Sequence, residues 1–101
     1  MAEPRIRIPK GELAGFCRRN RIRELSLFGS VLRSDFRPES DVDVLVEFEE
    51  GHGPGLLGLV AMERELSSLI GRRVDLNTKG FLSPYFVAEV LKEAQAQYVA
   101  A

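Results

Sequence analysis

The sequence predicts an α/β (α+β) domain in which a small mixed three-stranded sheet has helices packed on one face, in the order α-β-α-β-α-β-α. Two observations lead to this prediction. Between residues 41 and 48, apolar and polar residues alternate, as in a strand with one buried face. Between residues 56 and 70, apolar residues recur every three or four positions, as in a helix with one buried stripe. Since 101 residues suffice for one core, we expect a single domain over residues 1–101.

Composition and charge narrow the class of protein. The net charge of −1 argues against a protein that grips duplex DNA through its phosphates, because such binding needs a surplus of Lys and Arg. Cys17 is the only cysteine, so no internal disulfide and no multi-cysteine zinc site can form. No apolar run approaches the ~20 residues of a membrane span, and residues 1–4 lack a signal-peptide pattern. We therefore expect a cytoplasmic protein with no membrane partner and no strong nucleic-acid binding.

The chain begins with an arm, a helix and a strand. Residues 1–8 are polar or alternating and precede Pro9, which predicts a mobile arm or a short edge strand. A helix is predicted over residues 10–19, and Asn20 would end it in a left-handed conformation. The buried face of this helix would consist of Leu13, Phe16 and Cys17. Residues 22–28 form the first strand.

Four arginines lie around the end of this helix and the start of the strand: Arg18, Arg19, Arg21 and Arg23. The simpler interpretation is a solvated surface whose charge complements the helix dipole. The alternative is a contact with a polyphosphate or with RNA, since both are polyanions.

A tight turn and a loop connect the first strand to the second. Gly29 breaks the first strand, and a short helix would start at Ser30 with its N-terminal amides pointing at an anion. Residues 34–40 form a loop. The core face of the second strand would carry Val42, Val44, Val46 and Phe48. Its opposite face would carry Asp41, Asp43, Leu45 and Glu47.

A glycine-rich stretch separates the second strand from the strongest helix. Residues 51–58 are interpreted as a turn or mobile flap, because a phosphate cradle of the P-loop kind would end in Lys followed by Ser or Thr. The helix over residues 56–70 ends at Gly71. Its buried stripe would consist of Leu56, Leu59, Met62, Leu66, Leu69 and Ile70.

The last two predicted elements are a short strand and a helix. In the strand Val74-Asp75-Leu76, the two apolar residues share one face, so Asp75 points the other way. Ser83-Pro84 predicts the start of the last helix, with a capping side chain followed by proline at the first helical position. The apolar side of this helix would carry Phe86, Val87, Val90, Leu91 and Ala94.

Three carboxylates face away from the predicted core: those of Asp41, Asp43 and Asp75. Asp41 and Asp43 would lie roughly 6–7 Å apart at Cα, from a rise of ~3.3 Å per residue. Like charges this close repel each other unless a cation lies between them. Oxygen-only ligands select Mg²⁺ or Mn²⁺ over zinc. Two such ions roughly 3.5–4 Å apart can clamp the attacking and leaving oxygens of a phosphoryl displacement.

Residues at the end of the first strand could hold a phosphate. Gly29 lacks a Cβ and lets the backbone approach closely, while the Ser30 hydroxyl and nearby amides can bind phosphate oxygens. Arg33, one turn further on, could neutralise charge as phosphate bonds break. Each piece alone has an ordinary structural explanation, since Asp residues often close loops through local amides and Asp75 could pair with a neighbouring arginine. The argument for a site is the joint pattern.

The joint pattern resembles the nucleotidyltransferase superfamily that includes DNA polymerase beta. It is most similar to the minimal nucleotidyltransferase (MNT) branch, whose small prokaryotic members often pair with a HEPN-domain protein in toxin–antitoxin operons. The resemblance covers nearly the whole chain, and the segments that carry it are Phe28-Gly29-Ser30, Arg33, Ser40-Asp41-Val42-Asp43-Val44-Leu45-Val46 and Arg72-Arg73-Val74-Asp75-Leu76. Ser34 departs from the pattern, because many relatives have Gly at that position.

This resemblance implies a reaction, its cofactors and its site. AMP would pass from ATP to a hydroxyl, a tyrosine of a partner HEPN toxin, and pyrophosphate would leave. Asp41 and Asp43 would ligate two Mg²⁺ (or Mn²⁺) ions, and Asp75 would bind one ion and help to deprotonate the hydroxyl. The residues that would bind the nucleotide triphosphate are Gly29, Ser30, Arg33 and Ser40.

The resemblance also implies that something else must close the site. Larger members of the superfamily carry an extra helical domain for which this chain has no room, so a partner or a second copy in a homo-oligomer would have to exclude water. Two other functions remain open at this point. One is a catalytically silent module that neutralises its partner by complex formation, and the other, less favoured, is nucleotide transfer to a small molecule of the aminoglycoside kind.

Overall fold

The computed structural model describes residues 6, 8–32, 37, 39–78 and 84–100. Its helices are α1 (Lys10–Arg19), α2 (Leu56–Ile70) and α3 (Pro84–Glu93), with a short 3₁₀ helix at Gly29–Leu32. Its strands are β1 (Ile22–Phe28), β2 (Val42–Phe48), β3 (Val74–Thr78) and β4 (Gln95–Val99). Among the helices in these ranges, none combines the length and the apolar character needed to cross a membrane.

The strands form one mixed sheet in the order β3-β2-β1-β4. β1 pairs antiparallel with both β2 and β4, whereas β2 and β3 are parallel. A parallel pair needs a crossover connection, and α2 supplies it. The predicted α/β class and the mixed sheet are therefore confirmed.

The sheet has four strands, so the prediction of three was wrong in this detail. The missed strand is β4, which lies at the sheet edge beside β1. It is five residues long, follows α3 after the single residue Ala94, and is nowhere fully buried. A segment this short, with no fully buried residue, has no sequence pattern that separates it from the end of the preceding helix. Tyr98 of β4 nevertheless packs against the main core.

The main core lies between one face of the sheet and the helices α1 and α2. The strands contribute Leu25, Leu27, Val42, Val44, Val46 and Val74, all at most 3% exposed. The two helices contribute Leu13, Phe16, Cys17, Met62 and Leu66. Within β1 and β2, these strand positions are two residues apart, as the period of two in the sequence predicts.

The third helix lies on the opposite face of the sheet, so the prediction that the helices pack on one face was wrong. Val90 of α3 forms a second buried cluster with Phe28 of β1 and Leu45 of β2, and Ala94 packs against it. Phe28 and Leu45 each follow a residue of the main core, so their side chains point to the other side. Two apolar side chains on that face need a cover, and α3 provides it.

Most local predictions agree with the structure. The bounds of α1, β1 and α2 are those predicted, and Gly71 ends α2 in the left-handed conformation with φ +77°. Two residues differ from their predictions. Asn20 has φ −100°, and the left-handed residue at the end of α1 is Arg21, with φ +57°. Leu56, predicted to lie in the buried stripe of α2, is 69% exposed.

Some predicted features lie outside the described residues. In the predicted arm at residues 1–8, only Ile6 and Ile8 are described, and both pack against the main core. Arg33, Ser34 and Ser83 are not among the described residues. The same holds for the side chains of Phe86 and Val87 in α3.

Candidate active site

Two of the three predicted carboxylates occupy neighbouring positions in the sheet. Asp43 of β2 and Asp75 of β3 are direct partners in the parallel register, and adjacent strands lie ~4.8 Å apart. Val42 and Val74, one residue earlier on each strand, are buried in the main core. The side chains of Asp43 and Asp75 therefore face the other way, as predicted.

Asp41 lies just before β2 begins, two residues before Asp43. Its carboxylate is 45% exposed, and its Oδ1 lies 3.9 Å from Nε of Arg73, whose side chain is 83% exposed. An ion pair this open to water contributes little, on the order of 0–1 kcal/mol. The ion pair with Arg73 therefore holds the Asp41 carboxylate only weakly.

The strand that carries Asp75 is tied to α2 by side chains. Oγ of Ser67 accepts a hydrogen bond from the amide of Val74 at 3.0 Å, and Oε2 of Glu63 accepts one from the amide of Leu76 at 2.8 Å. Both amides belong to an edge strand and would otherwise need water or another chain. The residue between them, Asp75, is thereby fixed in backbone position while its side chain stays exposed.

The turn at Gly29 touches the same carboxylate face. Gly29 has φ +76°, a conformation that favours glycine. A Cβ at this position would collide with Oδ2 of Asp43. Gly29 is buried, and its amide donates a hydrogen bond of 3.1 Å to Oε1 of Glu93 at the end of α3. The absent side chain predicted to admit a phosphate therefore also makes room for Asp43.

Gly29 is the first residue of the short 3₁₀ helix, which the buried side chains of Val31 and Leu32 anchor to the core. This agrees with the short helix predicted at that place. The backbone of Ser30 lies in this helix, while its side chain and the whole of Arg33 lie outside the described part of the chain. Their predicted contacts with a triphosphate stay predictions.

Ser40 closes the loop that leads into Asp41. Its Oγ accepts a hydrogen bond of 3.1 Å from the amide of Arg37, and its own amide donates one of 2.9 Å to the carbonyl of Arg37. The guanidinium of Arg72 donates a further hydrogen bond of 2.8 Å to that carbonyl. These contacts position the start of β2, and the predicted binding of a nucleotide by Ser40 stays a prediction.

The donor set fits a hard divalent cation. Asp41, Asp43 and Asp75 offer carboxylate oxygens only, which suits Mg²⁺ or Mn²⁺. Within the described residues, no three His, Cys, Asp or Glu side chains stand close enough together to hold a metal ion by themselves. Mg²⁺ is commonly bound through one or two carboxylates together with substrate phosphates. The paired Asp43 and Asp75 supply that number, so the arrangement suits an ion that arrives with a nucleotide.

A shallow groove continues this face along β2. Leu45, two residues after Asp43, lies at its floor beside Ser26, which is 5% exposed. The groove encloses about 140 Å³, and its other lining residues are Glu24, Glu47, Leu91, Ala94 and Ala96. Two acidic residues line the groove, and one of them, Glu47, forms an ion pair with Arg23.

Sequence reasoning did not find Glu93, whose carboxylate accepts the Gly29 hydrogen bond. One signal was available. Glu93 is the last residue of α3, and a carboxylate at the C-terminus of a helix is disfavoured by the helix dipole. An acid at that position indicates a compensating partner elsewhere.

Comparison with known proteins gives a family. The family model described as a nucleotidyltransferase domain matches residues 11–97. A curated relative, protein adenylyltransferase MntA of Thermococcus cleftensis, is 43% identical over 72 residues, which cover 71% of this chain and 71% of that protein.

Solved structures agree with this family match. The structure of a candidate minimal nucleotidyltransferase is 36% identical with a TM-score of 0.71, covering 85% of this chain and 86% of that one. A toxin–antitoxin structure with AMP-PNP has a TM-score of 0.75 at 18% identity, with coverages of 92% and 75%. A complex of tri-AMPylated HEPN toxin from Shewanella oneidensis with MNT antitoxin has a TM-score of 0.66 at 18% identity, with coverages of 90% and 70%. At 18% identity, the last two likenesses concern the fold alone.

The match over residues 11–97 extends from α1 into β4 and includes the strands that carry Asp43 and Asp75. The resemblance inferred from the sequence is thereby confirmed. The chain belongs to the nucleotidyltransferase domain family.

Proposed function

We propose that this chain is a protein adenylyltransferase that transfers AMP from ATP to a tyrosine hydroxyl of a partner HEPN toxin and so acts as the antitoxin of the pair. The observation that carries the proposal is the pairing of Asp43 with Asp75 on adjacent strands, beside the turn at Gly29. Two carboxylates on a rigid sheet suit a divalent cation, and the adjacent glycine turn leaves room for a triphosphate.

The metal site would consist of Asp41, Asp43 and Asp75. Two Mg²⁺ or Mn²⁺ ions bound there would neutralise charge on the phosphate oxygens. The residues proposed to bind the triphosphate are Gly29, Ser30, Arg33 and Ser40. Asp41 and Asp75 are exposed, so the nucleotide and the acceptor can both approach them from solvent.

Asp75 is the proposed general base. Its carboxylate is exposed while its backbone is fixed from both sides by α2. The acceptor oxygen attacks the α-phosphorus of ATP, and Asp75 takes the hydroxyl proton. The bond between the α-phosphorus and the oxygen that bridges it to the β-phosphorus breaks, so pyrophosphate leaves. The product carries AMP on the acceptor oxygen, and Asp75 releases the proton to water, which regenerates the base.

The known relatives support the class of acceptor, the partner and the nucleotide donor in this proposal. The Thermococcus cleftensis relative is named a protein adenylyltransferase, which supports a protein acceptor. The Shewanella oneidensis complex contains an AMPylated HEPN toxin with its MNT antitoxin, which supports the partner. The structure with AMP-PNP supports an adenine nucleotide as donor. We place the reaction in the cytoplasm, where ATP is available.

The experiment that tests the proposal is intact-mass analysis of the protein encoded beside this chain, which the proposal expects to be a HEPN protein. The HEPN protein is incubated with the chain, ATP and Mg²⁺, and one or more added AMP units are expected. The double variant Asp41→Ala/Asp43→Ala should add none. Glu50→Ala, an exposed acid outside the candidate site, is the matched control and should add AMP as the wild-type chain does.

Two other outcomes would replace the proposal. A HEPN protein of unchanged mass that is nevertheless silenced in a stable complex would establish a binding module instead. AMP found on a small molecule, with the HEPN protein unmodified, would establish a small-molecule nucleotidyltransferase.

A further inference from the structure

The turn at Gly29 is connected to α3 by the side chain of Glu93. Oε1 of Glu93, at the end of α3, accepts a hydrogen bond of 3.1 Å from the backbone amide of Gly29. The two residues are 64 positions apart in the chain, and the contact is partly buried. A carboxylate is a strong acceptor for a backbone amide.

The hydrogen bond to Gly29 offsets part of the electrostatic cost of a carboxylate at this position. The C-terminus of a helix carries a partial negative charge, so a carboxylate there is disfavoured. The amide of Gly29 is a donor that compensates the carboxylate of Glu93.

The same end of α3 is anchored on the strands that carry the site. Val90 packs on Phe28, the residue before Gly29, and on Leu45, two residues after Asp43. Ala94, the residue after Glu93, packs against the same cluster. Glu93 therefore stands between two packed positions, and its carboxylate reaches Gly29 from a fixed backbone.

Gly29 is consequently held between two carboxylates with different roles. Oδ2 of Asp43 fills the space that a Cβ of Gly29 would take, so the turn cannot move further towards β2. Glu93 binds the amide, so the turn cannot move away without breaking a hydrogen bond. The two contacts together set the distance between the turn and Asp43.

We propose that Glu93 is a positioning residue of the active site: it holds the Gly29 turn at a fixed distance from Asp43. This inference rests on the proposed function, in which the turn carries the triphosphate and Asp43 carries the metal. A misplacement of about 1 Å between such groups can cost on the order of a hundredfold in rate.

Three variants separate positioning from charge and from general stability. Glu93→Ala removes the acceptor, whereas Glu93→Gln keeps an acceptor oxygen and removes the charge. Glu89→Ala is the matched control, an exposed acid on the same helix one turn earlier. For each variant, kcat and KM for ATP are measured well below its melting temperature, with the HEPN protein as acceptor.

Positioning predicts a specific order of activities. Glu93→Ala should lose about tenfold to a hundredfold in kcat, Glu93→Gln should retain most of it, and Glu89→Ala should match the wild-type chain. A merely structural role would lower the melting temperature of Glu93→Ala and leave the kcat of the folded protein unchanged, which would overturn the inference. Equal losses in Glu93→Gln and Glu93→Ala would also overturn it. So would a lower KM for ATP in Glu93→Ala, because the carboxylate would then be a competitor of phosphate.

Amide hydrogen exchange tests the contact without any activity. The Gly29 amide should exchange at least about tenfold faster in Glu93→Ala than in the wild-type chain and in Glu93→Gln, because a released amide is no longer protected. Unchanged exchange in Glu93→Ala would overturn the inference even if the enzyme is active. A wild-type chain that transfers no AMP while Gly29 is protected would instead overturn the proposed function, and with it the catalytic role of Glu93.

Discussion

The carboxylate of Asp43 occupies the space beside Gly29 that any other residue at position 29 would fill with its Cβ. Asp43 pairs with Phe28, the residue before Gly29, in the antiparallel register of β1 and β2. The turn and the strand therefore meet at a contact that depends on the absence of a side chain at one residue and on a carboxylate at the other. The fold and the candidate chemistry share this contact, so changes here should affect both.

Gly29→Ala should therefore destabilise the protein and inactivate it. Ala in the left-handed region costs about 1–2 kcal/mol, and the collision with Asp43 adds to this. We expect the free energy of unfolding in urea to fall by at least about 2 kcal/mol. Gly15→Ala is the matched control, because Gly15 lies inside α1 with nothing within 4 Å of its Cβ position. That variant should gain about 0.5–1 kcal/mol.

A double-mutant cycle identifies the cause of the Gly29→Ala effect. In the Asp43→Ala background the carboxylate is gone, and only Cβ of residue 43 remains, 3.3 Å from the new methyl group. Gly29→Ala should then cost less than in the wild-type chain, with a coupling free energy of about 0.5–3 kcal/mol. Equal costs in both backgrounds would mean that backbone conformation alone disfavours Ala.

Asp75→Asn should remove catalysis and leave the fold intact. The side chain is exposed, so the free energy of unfolding should change by less than about 0.5 kcal/mol. The amide cannot accept the hydroxyl proton, and a general base contributes about 10²–10⁴-fold. Single-turnover transfer of AMP should slow by this factor. A loss of less than about threefold would remove Asp75 from the role of base.

Cys17 gives the protein a pH dependence that the sequence does not reveal. Burial raises the pKa of its thiol from 9.0 to about 12, although the nearby Arg18 opposes the shift. In the unfolded chain the thiol loses its proton near pH 9, while in the folded chain it keeps it. The stabilising contribution is therefore complete below pH 9 and is lost as pH rises from 9 towards 12.

The measurement for Cys17 is urea unfolding between pH 8 and pH 11. Stability should fall by about 1.4 kcal/mol per pH unit from this one group above pH 9. Tyr and Lys side chains also titrate in this range, so Cys17→Ala is the reference, and its slope should be smaller by that amount. The buried thiol should also react with a thiol reagent only after unfolding. An equal pH slope in Cys17→Ala would show that the thiol is not perturbed.

The sequence predicted those parts of the fold that depend on local periodicity. α1, β1 and α2 have the predicted bounds, and the division of β2 into an apolar and an acidic face is correct. The sequence did not predict on which face of the sheet α3 lies. The two apolar residues that α3 covers, Phe28 and Leu45, are separated by 16 residues of the chain. Their meeting depends on the β1–β2 register, which only the folded sheet defines.

In the candidate site, too, some residues were predictable from the sequence and others were not. The orientation of Asp43 and Asp75 was predictable, because Asp43 lies between the buried Val42 and Val44, and Asp75 lies between the buried Val74 and the partly buried Leu76. The partner of Glu93 was not predictable, because it is a backbone amide that leaves no trace in the spacing of side chains, and the position of the acid at the end of α3 was the one available signal. Leu56 is 69% exposed and was misassigned to the buried stripe, because periodicity identifies the apolar side of a helix but not which of its turns are covered.

ATP and Mg²⁺ should stabilise the chain jointly, more than either does alone. A ligand that binds only the folded state adds RT ln(1+[L]/Kd) to its stability, about 2.7 kcal/mol at a hundredfold excess over Kd. For a domain of this size, that corresponds to a rise in Tm of roughly 10–20 °C. The joint effect arises because Asp43 and Asp75 supply two carboxylates and the phosphates supply the other ligands of the ion. Asp41→Ala/Asp43→Ala should lose it, and Glu50→Ala should keep it. If Tm in the wild-type chain rises equally with ATP alone and with ATP plus Mg²⁺, the nucleotide binds without the metal and the carboxylate pair has another role.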